Sequence, residues 1–460
     1  MKFVLALLLP LFFASVANAA NDSDVKKLLE TRQCKGCNLE NANLKGFYLR
    51  QANLRGANLK GANLNGADLR GALLVKANLK DADLRSCNLE GANLLDAKLE
   101  GAQWQNTIVS SSTVLAPKWR LVLQVVNEGV TTDLDGRDLA GANFNGLDLR
   151  DVNFTDTNLK GARLDDALLN EANFEGANLQ DASFFISDLR NTNLNQVNLK
   201  KGFLQAADLR GATLSQSNLN RANLSNTYLE NVDISDSNLN NANFARSYLN
   251  NANLNNSKLR DTNFLTADLR GAKLDNVDLR NANLRGADIS GTVLGNSNLR
   301  GLKLEGANLR AMNLRGANLS GLNLKNVDLT GNDLSNTNLS GANLTGANLK
   351  GANLSGANLA RAILKEADLK GANLSKVNLS RANLKQADLT SVNLSGSDLT
   401  DAIFIEADLH QANLSNTNFT RANLKSANLE RTMMNGIKLD YAILCGAIMP
   451  DGSKGKCRVR

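Results

Sequence analysis

Aromatic residues are scarce. The 460 residues include 14 phenylalanines, 4 tyrosines and 2 tryptophans, 4% of the chain, although 43% of it is hydrophobic. A globular core of that size ordinarily takes its bulk from aromatic rings, so the interior implied here is narrow and filled by aliphatic side chains. Length alone would suggest two to four globular domains at about 100–200 residues each; the composition argues against that division. Proline is nearly missing, with 3 residues, and histidine occurs once, as His410. One imidazole, and the lack of HExxH, GxSxG or phosphate-loop motifs, argue against most hydrolase and metal chemistry. The chain is therefore expected to be no enzyme, with no catalytic residue, cofactor or metal. Lys and Arg outnumber Asp and Glu by 52 to 45, a formal net charge of +7.

Residues 1–19 read as a secretory signal. Lys2 is a short positive start, residues 3–14 are apolar, and Ala17-Asn18-Ala19 is an A-x-A cleavage site. The apolar run is about a dozen residues, short of the ~20 a bilayer requires. No later stretch is apolar enough to span, so no transmembrane anchor is expected after cleavage. Residues 20–33 follow as a capping helix over Asn21 to Gln33. Asp22 or Ser23 can N-cap it, and Val25, Leu28 and Leu29 fall on one face.

What the chain has in abundance is a five-residue period. From Leu39 to Trp104 a large apolar residue recurs at every fifth position, fourteen times. From Leu134 to Met449 it recurs sixty-four times without a slip. Taking that residue as position i, a small residue, usually Ala, stands at i−2 and Asn or Asp at i−1. Ala57-Asn58-Leu59-Lys60-Gly61 and Ala352-Asn353-Leu354-Ser355-Gly356 are typical. Such a period fits neither a 3.6-residue helix nor a long strand. If i−2 and i both point inward, each unit is one short extended segment, and Gly, Asn or Asp near i+2 turns the corner. The chain then coils, and a stack of coils buries what one cannot.

These residues resemble the pentapeptide-repeat family, whose motif is A-(D/N)-L-x-x. The resemblance implies an all-β fold, a right-handed quadrilateral parallel β-helix with four pentapeptides per coil, carrying short capping and inserted helices. At ~4.8 Å per coil the second block would be a rod of roughly 75 Å. The organisation expected is a signal peptide (1–19), capping helix (20–33), first repeat block (34–104), insertion (105–133), second block (134–449) and basic tail (450–460). No proline falls inside a repeat, where it would remove a ladder donor. Arg137 occupies an inward position and requires an open or covered first coil. Leu302, Met312 and Leu322 are oversized at i−2 and should widen the column. Phe144, Phe184, Phe244, Phe264 and Phe404 share a face at 20 residues per coil, which favours ring stacking.

In the insertion, Pro117 suits a helix start, Trp119, Val122, Leu123 and Val126 form one stripe, and Gly129 is placed as a stop. The helix would lie against the rod, cap a coil end or dock a partner. Of five cysteines, Cys87 is most simply an Ala substitute at i−2. Cys34-Lys35-Gly36-Cys37 is weak evidence for metal or redox chemistry, since zinc would need two more ligands. A local disulfide between Cys34 and Cys37 closing the first coil is one reading, and Cys445 with Cys457 stapling the tail is another.

Folded at 20 residues per coil, one face carries Arg150, Arg190, Arg210, Arg270, Arg310, Lys350 and Lys370, with Glu230 and Glu430 as exceptions. The opposite face carries Lys160, Lys200, Arg260, Arg280 and Arg300, and a third a stripe from Ser335 to Ser415. The basic rows could attract an anionic surface, or be ordinary solvated faces. The reading reached is an exported, non-enzymatic scaffold or protein-interaction rod, similar to cyanobacterial members with signals, placed in a periplasm or thylakoid lumen. Its partner would be an unidentified protein or an anionic surface. The alternative is a DNA mimic acting on topoisomerases, an activity the resemblance associates with acidic surfaces; basic charge and a signal oppose it. Direct nucleic-acid binding is not expected, because the chain has almost no aromatic stacking surface.

Overall fold

The computed structural model describes residues 22–130, 133–295, 297–304, 306–310 and 312–457; the expected signal at residues 1–19 lies outside them. The unit of structure is one bridged residue per pentapeptide. The residue at i−1 pairs in parallel with the residue twenty positions on, as in Asn38↔Asn58, Asn43↔Asn63, Tyr48↔Asp68 and Asn53↔Leu73. Four bridged positions thus make one coil. Three backbone bonds tie each pentapeptide to the next coil. Around Leu59, for example, Ala57 O accepts from Asn78 N (2.9 Å), Leu59 N donates to Asn78 O (2.7 Å) and Gly61 N to Lys80 O (2.8 Å).

The corner explains the composition of the repeat. Ala62 N returns to Leu59 O at 3.0 Å, closing a four-residue turn whose third residue, Gly61, has φ +64°. Positive φ there is the type II requirement, which glycine meets without strain and Asn or Asp meets at small cost. The side chains at i−2 and i fill the column; Ala57 and Leu59 are both fully buried. Where i−2 is Ser or Thr, the hydroxyl is satisfied from inside: Thr157 Oγ1 donates to Leu134 O (2.7 Å) and Ser217 Oγ to Leu194 O (2.9 Å). Buried hydroxyls so bonded avoid the desolvation penalty of an orphan.

Two compact units are resolved. The first comprises the chain through residue 130 with Asp138–Phe144. It opens with α1 (Asp22–Thr31), which buries Leu28. Leu29 is exposed, so the expected three-residue stripe reduces to one anchor. Asp24 Oδ2 accepts the Asn38 amide at 2.9 Å, holding the helix on the first coil. The ladder does not stop at Trp104. Asn88↔Ile108 and Asn93↔Val114 continue it, the second with a spacing of 21. Thr107-Ile108-Val109 and Thr113-Val114-Leu115 are thus two further repeats, and the insertion is correspondingly shorter than residues 105–133. Thr113 Oγ1 bonds Leu89 O of the coil before at 2.9 Å, as Thr157 and Ser217 do with Leu134 O and Leu194 O. Then α2 (Pro117–Glu128) buries Trp119, Val122, Leu123 and Val125, with Val125 replacing the expected Val126. Trp119 stacks on Trp104 at 6.5 Å, and Asn127 binds the Asn106 amide at 2.6 Å. Here α2 closes the end of the first unit.

The second unit comprises Asp133–Arg137 and the chain from Asn145. Arg137 is exposed, so its coil is open at that position. Phe244 and Phe264 stack at 5.2 Å. Of the five phenylalanines expected on that face, they are the two that are one coil apart. The closest stack is elsewhere: Phe154 on Phe174, 4.7 Å apart and 7° from parallel. At the far end the tail doubles back, Ile448 pairing antiparallel with Lys454, and Gly455 N bonds Ala447 O at 2.7 Å.

The oversized inward residues have a structural effect. Leu302, Met312 and their neighbours from Ile289 to Leu329 line an apolar cavity of about 10 Å³. Lys303 and Asn308 bridge back to Asn283 and Asp288, but among the described residues neither bridges forward to Asn323 or Asp328. The ladder is interrupted here among the described residues. Asn332, one coil beyond Met312, bonds the Met312 amide and Leu309 O.

Candidate functional site

The strongest sequence candidate was the basic row, and the geometry changes its character. Side chains at i−1 and i+1 leave the same short segment on the same side, so an Asp-Leu-Arg triplet sets a carboxylate beside a guanidinium. Arg150 Nε and Nη2 lie 2.8 and 2.6 Å from the Asp148 oxygens. Arg190 with Asp188 and Arg270 with Asp268 repeat this at 2.6 Å, and Arg210 with Asp208 at 2.5 Å. Arg310 reaches Asp328 at 3.1 Å and Lys350 reaches Asp368 at 2.8 Å, each one coil on. Only Lys370 of the seven has no ion pair among the described residues.

The titration behaviour follows from that pairing. The hydrogen bonds from Arg150 and Arg190 hold the carboxyls of Asp148 and Asp188 below the ordinary aspartate range. The same bonds push the arginines up, Arg210 furthest. The row is a line of fixed charge pairs rather than a cationic stripe. The opposite face carries a ladder of amides, Asn178 Nδ2 donating to Asn158 Oδ1 (3.0 Å) and Asn198 Nδ2 to Asn178 Oδ1 (3.2 Å).

Two exposed groups were not foreseen. Tyr228 and Tyr248 stack 5.3 Å apart, with the Arg210 guanidinium 5.8 Å from the Tyr228 ring. Phe185, Ile186 and Phe203 are each nearly half exposed. Both were legible as aromatic residues at outward positions, had the i−1 and i+1 columns been scanned for apolar residues as well as charges.

The cysteines fall at the ends. Cys34 and Cys37 are joined beneath α1, with Cα atoms 5.2 Å apart, and Cys445 is joined to Cys457 of the tail. Cys87 is free and buried. Burial pushes its thiol up to about 12, and Sγ lies 2.7 Å from Leu64 O, where inward hydroxyls sit in other coils. His410 is half-buried, Nδ1 3.9 Å from Glu430. Among the described residues no cluster of His, Cys, Asp and Glu is arranged to hold a metal, and no helix is long and apolar enough to cross a membrane.

Comparison with known families agrees with the coil geometry. A profile for pentapeptide repeats matches residues 33–71, 77–109, 187–226, 293–331, 332–365, 367–404 and 402–440, more than half of the chain. The chain belongs to the pentapeptide-repeat family. A second profile, for a pentapeptide repeat region, matches residues 133–204 and 232–309. The match at 77–109 covers the Val109 repeat that follows Trp104. No curated protein matches.

Three solved pentapeptide-repeat structures illustrate the range. QnrB1, a plasmid-mediated fluoroquinolone resistance protein, is 21% identical, covering 38% of this chain and 90% of its own, with a TM-score of 0.31. HetL, involved in heterocyst differentiation regulation in the cyanobacterium Nostoc sp. strain PCC 7120, is 29% identical over 58% of this chain and 91% of its own, TM-score 0.17. A protein of the Arabidopsis thaliana thylakoid lumen is 29% identical over 24% of this chain and 68% of its own, TM-score 0.14.

Proposed function

We propose that this pentapeptide-repeat chain is a non-enzymatic, exported scaffold for a protein partner, folded as a right-handed quadrilateral β-helix and working in a periplasm or thylakoid lumen. The observation that carries the reading is the register. Every outward position recurs once per coil, so side chains form fixed rows such as the Asn158, Asn178 and Asn198 ladder. Rows held by the backbone need no ordering on binding, which reduces the entropic cost of association. Export is supported by the signal-like residues 1–19 and by a cysteine pair at each end, since disulfides persist in oxidising compartments.

A protein partner stands ahead of an anionic surface, because the expected basic row is largely neutralised by aspartates. The same pairs weigh against DNA mimicry, which needs uncompensated carboxylates. The test is a pulldown after mild crosslinking in the exported compartment. One recurring protein partner, dependent on the rows of the second unit, supports the reading; a tagged chain that stays in the cytoplasm overturns it.

A further inference from the structure

One column of the second unit contains both a filled and an open version of the same site. Residues 341, 361, 381, 401 and 421 occupy the third turn position in five successive coils, as Gly, Arg, Arg, Asp and Arg, with φ from 58 to 65°. The upper three form a sandwich. Arg421 Nε and Nη2 donate to the two Asp401 oxygens at 2.6 and 2.9 Å, and Arg381 Nε approaches the same carboxylate from the other side at 3.7 Å. This column therefore holds a carboxylate between coils when the chain supplies one.

One step down, the chain does not supply one. Arg361 stands beside Arg381 on one side and Gly341 on the other, in a groove also lined by Ser340, Ala360 and Ser380. A Cβ on Gly341 would meet no heavy atom within 4 Å. Among the described residues the Arg361 guanidinium has neither ion pair nor hydrogen bond. Asp398, in the same groove, does not compensate it. That carboxylate is taken by Thr400 (N 3.1 Å, Oγ1 2.6 Å) and by Asn418 Nδ2 (3.3 Å).

The geometry points to a carboxylate-binding slot over Gly341, with the Arg361 guanidinium as its donor, that takes an acidic side chain from a peptide segment. Guanidinium forks match the planar carboxylate, and Arg421 on Asp401 shows the match in this column. The groove is open to solvent, so the rest of the peptide stays outside it. The inference does not depend on export or on the scaffold role, and it can fail separately from them.

The experiment follows the arginine Nε–Hε NMR signals of the full chain while a blocked tetra-aspartate peptide is added, with inorganic phosphate in a parallel titration. The Arg361 signal, assigned by its loss in Arg361→Gln, should shift saturably with peptide. Inorganic phosphate, which a guanidinium also pairs with bidentately, should move the same signal in the parent and fail to do so in Gly341→Asp. Gly341→Asp, which places in the slot the same side chain that Asp401 supplies above, should shift the signal before any addition and abolish the titration. Arg150→Gln, in a different row, should titrate like the parent. An Arg361 signal that peptide leaves unmoved overturns the assignment. So does a Gly341→Asp variant that titrates normally with either probe.

Discussion

Asn332 substitutes for a missing backbone contact of Met312. Its Oδ1 accepts the Met312 amide at 3.3 Å and its Nδ2 donates to Leu309 O at 2.9 Å. In a regular coil those two backbone groups bond each other, as Ala342 N does to Leu339 O at 3.0 Å. Ser217 does the same for Val197, its hydroxyl accepting the Val197 amide and donating to Leu194 O, whereas Leu302, as large as Met312, keeps its own turn bond to Leu299 O at 3.1 Å. The open turn goes with the inward polar side chain one coil on, not with the size of Met312. Asn332→Ala should therefore cost about 1–3 kcal/mol by orphaning both groups. Because the arrangement does not depend on the bulk of Met312, the same change should cost about as much in a Met312→Ala background, read as a double-mutant cycle by urea denaturation.

The oversized residues make an unusual prediction about size. Large-to-small core changes ordinarily cost about 2–5 kcal/mol. Leu302→Ala, Met312→Ala and Leu322→Ala combined should cost well below the sum of three such losses, because each restores the ordinary small i−2 residue. The coils can then approach and form the bridges missing at Lys303–Asn323 and Asn308–Asp328. Amide exchange at residues 299–329 should slow in the triple variant. Faster exchange would mean that the interrupted ladder is intrinsic to this segment.

The Phe154 and Phe174 stack is the densest aromatic contact in the second unit. Phe174 also meets Phe184 edge-on at 6.0 Å. Phe174→Ala should destabilise by about 3–5 kcal/mol, and Phe174→Leu, the ordinary centre, by much less. Thermal unfolding of both variants checks this.

Acid sensitivity follows from the paired aspartates. Arg190 and Arg280 hold Asp188 and Asp278 below the usual range by hydrogen bonding. A carboxyl lowered in the folded state stabilises fully above its unfolded value of about 3.9. That contribution disappears as pH falls through the folded value. Urea midpoints should be flat from about pH 7 to 5 and fall below about pH 4. Arg190→Gln should flatten part of that fall. The effect per pair is small, because these groups are largely solvated.

Much of this was legible from the five-residue spacing: the inward Ala and Leu, the corner at i+2 and the faces that follow from them. The two repeats after Trp104 were hidden by local chemistry. Thr107-Ile108-Val109 puts β-branched residues where Asn-Leu is usual, and one extra residue before Thr113 breaks the count. The charge pairing at Asp148-Leu149-Arg150 was visible as a triplet, but reading arginine columns without the aspartate columns two residues away made the row look cationic. Asn332 carried a weak signal, a polar side chain at an inward position, where Ser217 and Ser237 likewise bond the amide one coil back. The slot at Gly341 was not legible, because glycine at i+2 is the ordinary corner residue; only the open space beside Arg361 sets it apart.

The exported-scaffold account is tested most directly by the intact mass of the chain recovered, still bound to its crosslinked partner, from the exported compartment. The account predicts loss of residues 1–19, one free thiol at Cys87 before reduction and five after it. A full-length chain with five free thiols, recovered from the cytoplasm, would contradict it.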